Sequence, residues 1–314
     1  MMNKLVSVIM AVYKEEKYML TESIKSILKQ TYSNFEFIII IDNPNDSWRR
    51  EFINSFNDNR IKLIVNDSNL GLSQSLNKAL KYATGEYIAR MDADDISRED
   101  RLEKQKDFIE KNDCDLCGSN FFTFSDKQDF QSIKMPEFNE SIKKILNYTN
   151  CMGHPTWFGK RTVFIKNNGY RNVFSCEDYD FLLRSIANNF ILGNIQEELL
   201  YYRLNLNSIS RKNAGKQVLI ANYLAKNFRK GKIIAEENIE EFLQSEKFKS
   251  EVKKYDEYYK LKIERKINKK RLKKLIFTLR MCCKSKYFFK DILRNIYKKY
   301  ILWIEKKEKY GRTY

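Results

Sequence analysis

The chain has 314 residues, which suits one large or two ordinary domains, and 43% of them are hydrophobic, which is enough to build a core. Six cysteines do not indicate a disulfide scaffold in a chain of this length, so we expect reduced thiols and a cytoplasmic location. The net charge of +17 lies almost wholly near the end, because residues 262–314 contain 19 Lys or Arg and 4 Asp or Glu, a net of +15. The apolar run from Leu5 to Val12 is too short for a signal peptide or a membrane-spanning helix, so we expect a soluble or peripheral protein.

Apolar, β-branched runs alternate with helical patterns through the first 95 residues. Strands are predicted at residues 5–12, 35–41 and 61–65, and a fourth strand opens at Gly85. Apolar residues at helical spacing predict the helices between them. This alternation predicts an α/β fold with a doubly wound, mostly parallel sheet and right-handed crossovers.

An acidic cluster ends the strand that opens at Gly85. Side chains two positions apart in an extended chain share a face, so Asp92 and Asp94 should point the same way while Asp95 points elsewhere. Two carboxylates this close disfavour each other's ionisation unless a cation lies between them. Divalent ions prefer oxygen ligands and share them with substrate phosphates, and open α/β sheets bind ligands at the carboxyl ends of their strands. The cluster therefore predicts a Mg²⁺ or Mn²⁺ site for a nucleotide diphosphate.

Two other interpretations apply to this stretch. It can be a solvated acidic turn. Separately, Asp95 can cap the helix that begins near Ser97 instead of binding a metal. The stretch can also be an EF-hand loop, because Glu103 stands where the twelfth ligand would. The EF-hand interpretation fails because Ile96 and Ser97 occupy positions that need an oxygen ligand and a glycine, and because a strand precedes the loop.

Motifs over about residues 4–211 resemble those of the family 2 glycosyltransferases, nucleotide-sugar-dependent enzymes with a single Rossmann-like GT-A domain. The matching segments keep the order and spacing of that family. They are Val12-Tyr13, Asp42, Asn69-Leu70-Gly71, Asn77, Gly85-Glu86-Tyr87-Ile88, Met91-Asp92-Ala93-Asp94-Asp95, Arg101-Leu102, Gly153-His154-Pro155-Thr156, Gly169-Tyr170-Arg171, Glu177-Asp178-Tyr179-Asp180 with Arg184, and Tyr202-Arg203 followed by Ser208 and Ser210.

The chain departs from the family pattern at two places. The loop after the first strand usually reads Pro-Val-Tyr-Asn, and here Ala11 and Lys14 replace its Pro and Asn. The usual pair of aspartates after the second strand is reduced to Ile41-Asp42. Asp42 matches the second of that pair, which the family uses near the nucleotide base and ribose.

The resemblance implies roles for particular residues. An acceptor hydroxyl must lose its proton as it attacks, and of the pair Glu177-Asp178 the resemblance selects Asp178 as the general base, with inversion at the sugar. The other implied roles are nucleotide-sugar binding by Val12, Tyr13, Asp42, Asn69, Asp92 and Arg203, metal binding by Asp94 and Asp92, and an acceptor-side position for His154 and Glu177.

Structural alternatives remain for three of these residues. Asp178 can cap the amphipathic helix that continues through Phe181 and Ile186. His154 is the only histidine, and a lone histidine beside glycine and proline is more often structural or on the surface. Arg203 can be an ordinary surface arginine instead of a fork of donors for the diphosphate.

The last hundred residues have a different character. A helix is predicted from Val218 to Phe228, and from Ile263 basic residues alternate with apolar and aromatic ones. Basic amphipathic helices with aromatic residues are typical of membrane interfaces, although one face can instead pack on the catalytic domain. The apolar positions that recur at helical spacing are Leu272, Leu275, Ile276, Leu279, Ile292, Ile296, Tyr300 and Trp303.

Together these observations predict a GT-A catalytic domain at 1–211 and a helical, basic region at 212–314. The expected activity is transfer of a sugar from a nucleotide diphosphate sugar, with UDP favoured, to a lipid-linked or polysaccharide acceptor at an anionic inner membrane surface. A nucleotidyltransferase is the enzymatic alternative, but it would need a glycine-rich, basic loop where Tyr13-Lys14-Glu15-Glu16 stands. A nucleic-acid-binding protein would use the basic tail yet leave the aspartates unexplained, so no nucleic-acid partner is expected.

Overall fold

The computed structural model describes residues 4–125, 128–204, 213–267 and 286–311. The chain divides into two units that each make most of their contacts internally. The first unit comprises Met1–Ile142, Cys151–Asn172 and Phe181–Asn205, and the second comprises Lys143–Asn150, Val173–Asp180 and Leu206–Tyr314. The functional boundary predicted at residue 211 stays a prediction.

The sheet of the first unit begins with four parallel strands, of which the first, second and fourth in the chain are mostly buried. Strand β1 (Val6–Val12) pairs with β2 (Phe35–Ile41) on one side and with β4 (Tyr87–Asp92) on the other, and β3 (Ile61–Val65) pairs with β2. Every residue of β2 is buried, and its run of isoleucines is typical of a parallel strand covered on both faces. The parallel strands predicted in the first 95 residues are confirmed.

The remaining strands make the sheet mixed. They are β5 (Ile96–Ser97), β6 (Leu116–Ser125), β7 (Gln128–Ile133), β8 (Phe158–Lys160) and β9 (Leu192–Arg203). The strand order is β3-β2-β1-β4-β8-β6-β9-β5, with β7 paired to β6. Antiparallel pairing joins β4 to β8, β8 to β6, β6 to β7 and β9 to β5, whereas β6 and β9 are parallel. The sequence pattern did not predict these antiparallel pairs.

Helices flank the sheet and make up most of the second unit's described residues. In α1 the buried residues Leu20, Ile24 and Ile27 recur at helical spacing and form the face that packs on the core. In chain order the helices are α1 (Lys17–Leu28), α2 (Ser47–Asn54), α3 (Leu72–Tyr82), α4 (Arg101–Asn112), α5 (Asn139–Leu146), the short 3-10 helix His154–Thr156, α6 (Arg161–Lys166), α7 (Glu177–Ala187), α8 (Ala214–Phe228), α9 (Glu236–Gln244), α10 (Glu246–Ile267) and α11 (Lys286–Gly311).

Strand register brings several polar residues to one edge of the sheet. Val12 at the end of β1 lies opposite Ile41 at the end of β2, and Ala11 lies opposite Asp92 at the end of β4. The residues that follow β1 and β2, Tyr13 and Asp42, therefore leave the sheet at the same carboxyl edge as the aspartates. Ligands of open α/β sheets bind at this edge, so the candidate site is set by the parallel pairing.

Two sequence-based expectations concern the whole chain. Cys114, Cys117, Cys151 and Cys176 are buried free thiols, in agreement with the predicted reduced state, while the Cys282-Cys283 pair lies outside the described residues. Within the described ranges, no helix combines the length and the apolarity needed to cross a bilayer.

Candidate active site

Three carboxylates meet at the end of β4. Asp92, Asp94 and Asp95 each offer an oxygen, and these oxygens lie within 4.8 Å of one another. Asp92 and Asp94 are partly exposed, as expected of ligands open to a substrate, whereas Asp95 is fully buried. The expectation that Asp95 points elsewhere, or caps the next helix, is wrong. Its Oδ1 instead accepts a hydrogen bond of 2.8 Å from the backbone N–H of Arg203.

The cluster holds more negative than positive charge. Burial, followed by the charges of Asp92 and Glu15, raises the pKa of Asp94 to about 7. Burial, followed by the charges of Asp92 and Asp94, raises the pKa of Asp95 well above its ordinary value. The Oδ2 atom of Asp95 is buried and has no hydrogen-bond partner among the described residues. Oxygen ligands, excess negative charge and an unpartnered oxygen together fit a Mg²⁺ or Mn²⁺ ion.

Arg90 forms an ion pair with this cluster, and the sequence reasoning missed this residue. Its guanidinium is buried, and its Nη2 forms an ion pair with Oδ1 of Asp92. The Nε and Nη1 atoms of Arg90 are buried, and no residue in the described part of the chain forms a hydrogen bond with them. The ion pair orients Asp92. Because this one guanidinium faces several carboxylates, its positive charge does not balance the negative charge of the cluster.

Glu15 is a second residue that the sequence reasoning missed. Its Oε2 accepts a hydrogen bond of 2.7 Å from the backbone N–H of Tyr13, directly after β1. Burial raises the pKa of Glu15, and Arg49 binds its backbone oxygen through Nε at 3.1 Å and Nη2 at 2.6 Å. The available signal was position, since a carboxylate that follows β1 must lie near one that follows the adjacent β4.

Asp42 anchors a loop at the nucleotide side of the predicted site. Its Oδ1 accepts hydrogen bonds of 2.8 Å from Asn66 Nδ2 and from the backbone N–H of Leu70, and its Oδ2 accepts one of 2.8 Å from the N–H of Gly71. Gly71 has a φ of +81°, a conformation that favours glycine, so the turn needs this residue. Asn69 is exposed in the same turn and its Oδ1 accepts from Gly71 N–H at 3.2 Å. Nucleotide binding by Val12, Tyr13, Asp42 and Asn69 stays a prediction.

Arg203 is committed to contacts within the protein. Its Nε donates to the backbone oxygen of Asp94 at 2.9 Å, and its Nη2 pairs with Glu22 Oε2 at 2.5 Å. The side chain is buried, and its guanidinium lies 4.5 Å from the ring centroid of Phe124. The expectation of an ordinary surface arginine is wrong. Arg203 fixes the loop that carries Asp94 and Asp95 to the end of β9, and its contact with a diphosphate stays a prediction.

His154 lies inside an aromatic cluster of the first unit. Its Nε2 is 3.1 Å from the hydroxyl of Tyr170, and its ring centroid is 4.6 Å from that of Trp157. Burial, with a smaller effect of the positive Arg90, holds the pKa of His154 well below its ordinary value, so the imidazole is neutral. These contacts match the structural alternative, and the acceptor-side role stays a prediction.

Glu177 and Asp178 begin α7, and Asp178 belongs to the second unit. Oδ2 of Asp178 accepts a hydrogen bond of 2.7 Å from Asn150 Nδ2, and its Oδ1 accepts one of 2.7 Å from the N–H of Tyr179. The second bond satisfies one of the free N–H groups of the first helical turn. The capping alternative therefore has a contact in its favour, and the partly exposed carboxylate stays a predicted base.

The pKa of Asp94 predicts how metal-free protein responds to pH. A carboxyl whose pKa rises from 3.8 to about 7 on folding contributes stability that is fully present below the unfolded value and is lost as pH rises through the folded value. We therefore expect the difference in free energy of unfolding, wild type minus Asp94→Asn, to decrease as pH rises from 3.8 to about 7. Denaturant titrations in EDTA across this pH range measure the difference, in which carboxyls distant from the cluster cancel. A difference that does not change with pH would contradict the raised pKa.

Comparison with known proteins identifies the family. The family described as "Glycosyl transferase family 2" matches residues 7–168, a span that includes the acidic cluster, Asp42 and His154. The O-antigen biosynthesis glycosyltransferase WbnJ of Escherichia coli is 37% identical over 235 residues, which cover 73% of this chain and 91% of the relative.

Two further proteins extend this comparison. The UDP-Glc:alpha-D-GlcNAc-diphosphoundecaprenol beta-1,3-glucosyltransferase WfgD of Escherichia coli is 40% identical over 216 residues, 66% of this chain and 79% of the relative. The mannosyltransferase PcManGT of Pyrobaculum calidifontis, solved with GDP-Man and Mn²⁺, has a TM-score of 0.58 at 15% identity, over 97% of this chain and 87% of its own. That likeness confirms the GT-A fold, and the family match sets aside the nucleotidyltransferase alternative. The chain belongs to glycosyl transferase family 2 and is a glycosyltransferase.

Proposed function

We propose that this enzyme transfers a sugar from a UDP-sugar to a lipid-linked or polysaccharide acceptor, with a divalent metal and with inversion at the sugar. The observation that carries the proposal is the group of three carboxylates at the carboxyl end of β4, one of which, Asp92, forms an ion pair with the buried Arg90. No other described group of at least three acidic, cysteine or histidine side chains comes together closely enough to hold an ion.

The chemistry explains why this group is needed. Cleavage of the bond between the anomeric carbon and phosphate places negative charge on the departing diphosphate. Asp94 and Asp92 would hold Mg²⁺ or Mn²⁺, and such an ion, when bound, neutralises charge as a Lewis acid. Arg90 keeps Asp92 oriented, and the Arg203 contacts hold the backbone of Asp94 in place.

The donor and acceptor classes are supported by the relatives. WfgD is named for UDP-Glc as donor and for GlcNAc-diphosphoundecaprenol as acceptor, and WbnJ is named for O-antigen biosynthesis. Metal dependence is supported by the Mn²⁺ in the mannosyltransferase structure. Asp178 is the proposed base that takes the acceptor's proton, because both of its carboxylate oxygens are oriented by donors while the side chain stays partly exposed.

A location at the inner membrane surface is supported by α11. We call its row of exposed apolar side chains the α11 stripe, and its members are spaced alternately four and three residues apart, as on one face of a helix. They are Phe289, Leu293, Ile296, Tyr300 and Trp303, which are 47–59% exposed. The predicted positions Ile296, Tyr300 and Trp303 lie on the stripe, Ile292 is half-buried, and Leu272 to Leu279 lie outside the described residues.

Asp94→Ala should abolish metal-dependent UDP binding while leaving the fold intact, because a partly exposed ligand at a strand end adds little to the core. Calorimetry with UDP in the presence and absence of Mn²⁺ tests this. Glu99→Ala, which removes an exposed carboxylate a short distance along the chain, is the matched control and should bind normally. Undiminished metal-dependent affinity in Asp94→Ala would refute the metal site.

Asp178→Asn should leave donor affinity nearly unchanged and lower sugar transfer by about 10² or more, the effect of losing a general base. The amide can still cap a helix, so the melting temperature should stay close to that of the wild type. Binding, transfer and thermal melting are measured on the same preparation. Normal transfer with a lower melting temperature would mean that Asp178 is only a capping residue.

Phe289→Gln with Trp303→Gln should reduce sedimentation of the protein with anionic vesicles, because aromatic side chains insert at membrane interfaces. Binding of the wild type should also weaken in high salt, since each basic residue near an anionic leaflet contributes about 1 kcal/mol. Tyr82→Gln removes an aromatic residue that is 50% exposed in the first unit and serves as the control. Equal sedimentation of all three proteins would contradict the membrane-surface proposal.

A further inference from the structure

A groove in the second unit has no role in the function described so far. Its volume is about 520 Å³, within the range of about 300–1,000 Å³ that is usual for small-molecule sites. Helix α11 contributes Leu293, Ile296 and Tyr297 to its lining, and Tyr148 and Asn222 line it from outside that helix. The lining of the groove is therefore largely apolar or aromatic.

Cations line the same groove. Arg229, Lys290 and Arg294 are among its lining residues, and none of the lining residues in the described part of the chain is a carboxylate. Arg229 is held in place, since its guanidinium lies 4.9 Å from the ring centroid of Tyr148 and its Nη1 donates to the backbone oxygen of Asn147. An apolar groove lined by several cations suits a ligand with both a hydrocarbon chain and more than one negative charge.

The groove is continuous with the α11 stripe. Leu293, Ile296 and Tyr300 belong to both, and each is 47–59% exposed. A flat bilayer surface can contact the stripe, whereas the groove also offers Tyr148 and Arg229, which line it from outside α11. A groove of this volume therefore favours a single lipid chain over the face of a bilayer.

We propose that this groove binds the lipid part of the acceptor, an isoprenoid chain with its diphosphate. The chain lies along Leu293, Ile296 and the tyrosine rings, and the diphosphate lies against Lys290, Arg294 and Arg229. This inference rests on the proposed function for the acceptor class, but it assigns the lipid to a particular place. It also gives the basic second unit a selective role beyond general attraction to anionic membranes.

Calorimetry of the full chain with farnesyl diphosphate, a soluble isoprenoid diphosphate, tests the groove directly. EDTA is present throughout, so that no metal can hold the diphosphate at the carboxylates of β4. The wild type should bind farnesyl diphosphate at least about tenfold more tightly than inorganic diphosphate, because only the former buries a chain. Lys290→Gln with Arg294→Gln should weaken farnesyl diphosphate by about tenfold or more, as expected when charged hydrogen bonds are lost.

Matched variants on the same helix separate the groove from general electrostatics. Lys306→Gln with Lys307→Gln removes the same charge from exposed positions that do not line the groove, and it should leave affinity within about twofold of the wild type. Ile296→Gln should weaken farnesyl diphosphate but not inorganic diphosphate. Trp303→Gln, which lies on the stripe outside the groove, should weaken neither. Circular dichroism melts confirm that each variant folds.

Several outcomes would overturn the assignment. Equal losses in the two double-lysine/arginine variants would show attraction by diffuse charge, and equal affinity for the two diphosphates would show an anion site without a lipid site. No binding at all would mean that another segment of this chain or a membrane surface covers the groove. If Lys290→Gln with Arg294→Gln leaves transfer to a lipid-linked acceptor unchanged, the assignment of the groove is wrong and the proposed function stands. If the protein binds farnesyl diphosphate selectively but transfers sugar to no lipid-linked acceptor, the groove assignment stands and the proposed acceptor class is wrong.

Discussion

The candidate site depends on keeping four carboxylates close to one another at the end of a buried strand. Glu15, Asp92, Asp94 and Asp95 interact electrostatically, and Arg90 pairs with only one of them. Repulsion of this kind would separate flexible side chains, so the backbone around them has to be fixed. Arg101 supplies part of that rigidity, because its fully buried Nη2 donates to the backbone oxygen of Arg90 at 2.7 Å.

The first half of the fold was predictable because buried parallel strands have a distinctive composition. The second half was not, because its pairings are short or distant in sequence. β8 has only three residues, and β6 pairs in parallel with β9, whose partner residues lie more than seventy positions away. A periodic pattern reports which face of a strand is covered but not which strand lies beside it, so mixed pairing of this kind has no local signal.

Site residues were predictable where an acidic residue stands at the end of a strand. They were not predictable where contacts with distant parts of the chain fix the position of the side chain. Asp92 and Asp94 follow from the chain itself, whereas the inward turn of Asp95 depends on a backbone N–H of β9. In the sequence Arg90 is a charged residue within an apolar strand, and only its ion pair with Asp92 explains why a charge is buried there. His154 shows the opposite case, because a residue type suited to chemistry is enclosed by Trp157 and Tyr170 and kept neutral.

Helix α11 shows that one element can serve two environments. Ile301 and Glu305 are buried, four residues apart, while the α11 stripe is exposed. Removing the whole helix would therefore disturb packing within the second unit as well as any contact with lipid. Point substitutions on the stripe or in the groove separate these two roles.

Asp42 limits what a nucleotide can do at its position. A carboxylate has about four lone pairs, and Asn66, Leu70 and Gly71 already use three of them, two on Oδ1 and one on Oδ2. A bound nucleotide can therefore place at most one donor on Asp42, either a ribose hydroxyl or a base N–H. If Asp42 contacts the nucleotide as predicted, recognition of the base and of the ribose is divided between Asp42 and other groups at this edge of the sheet.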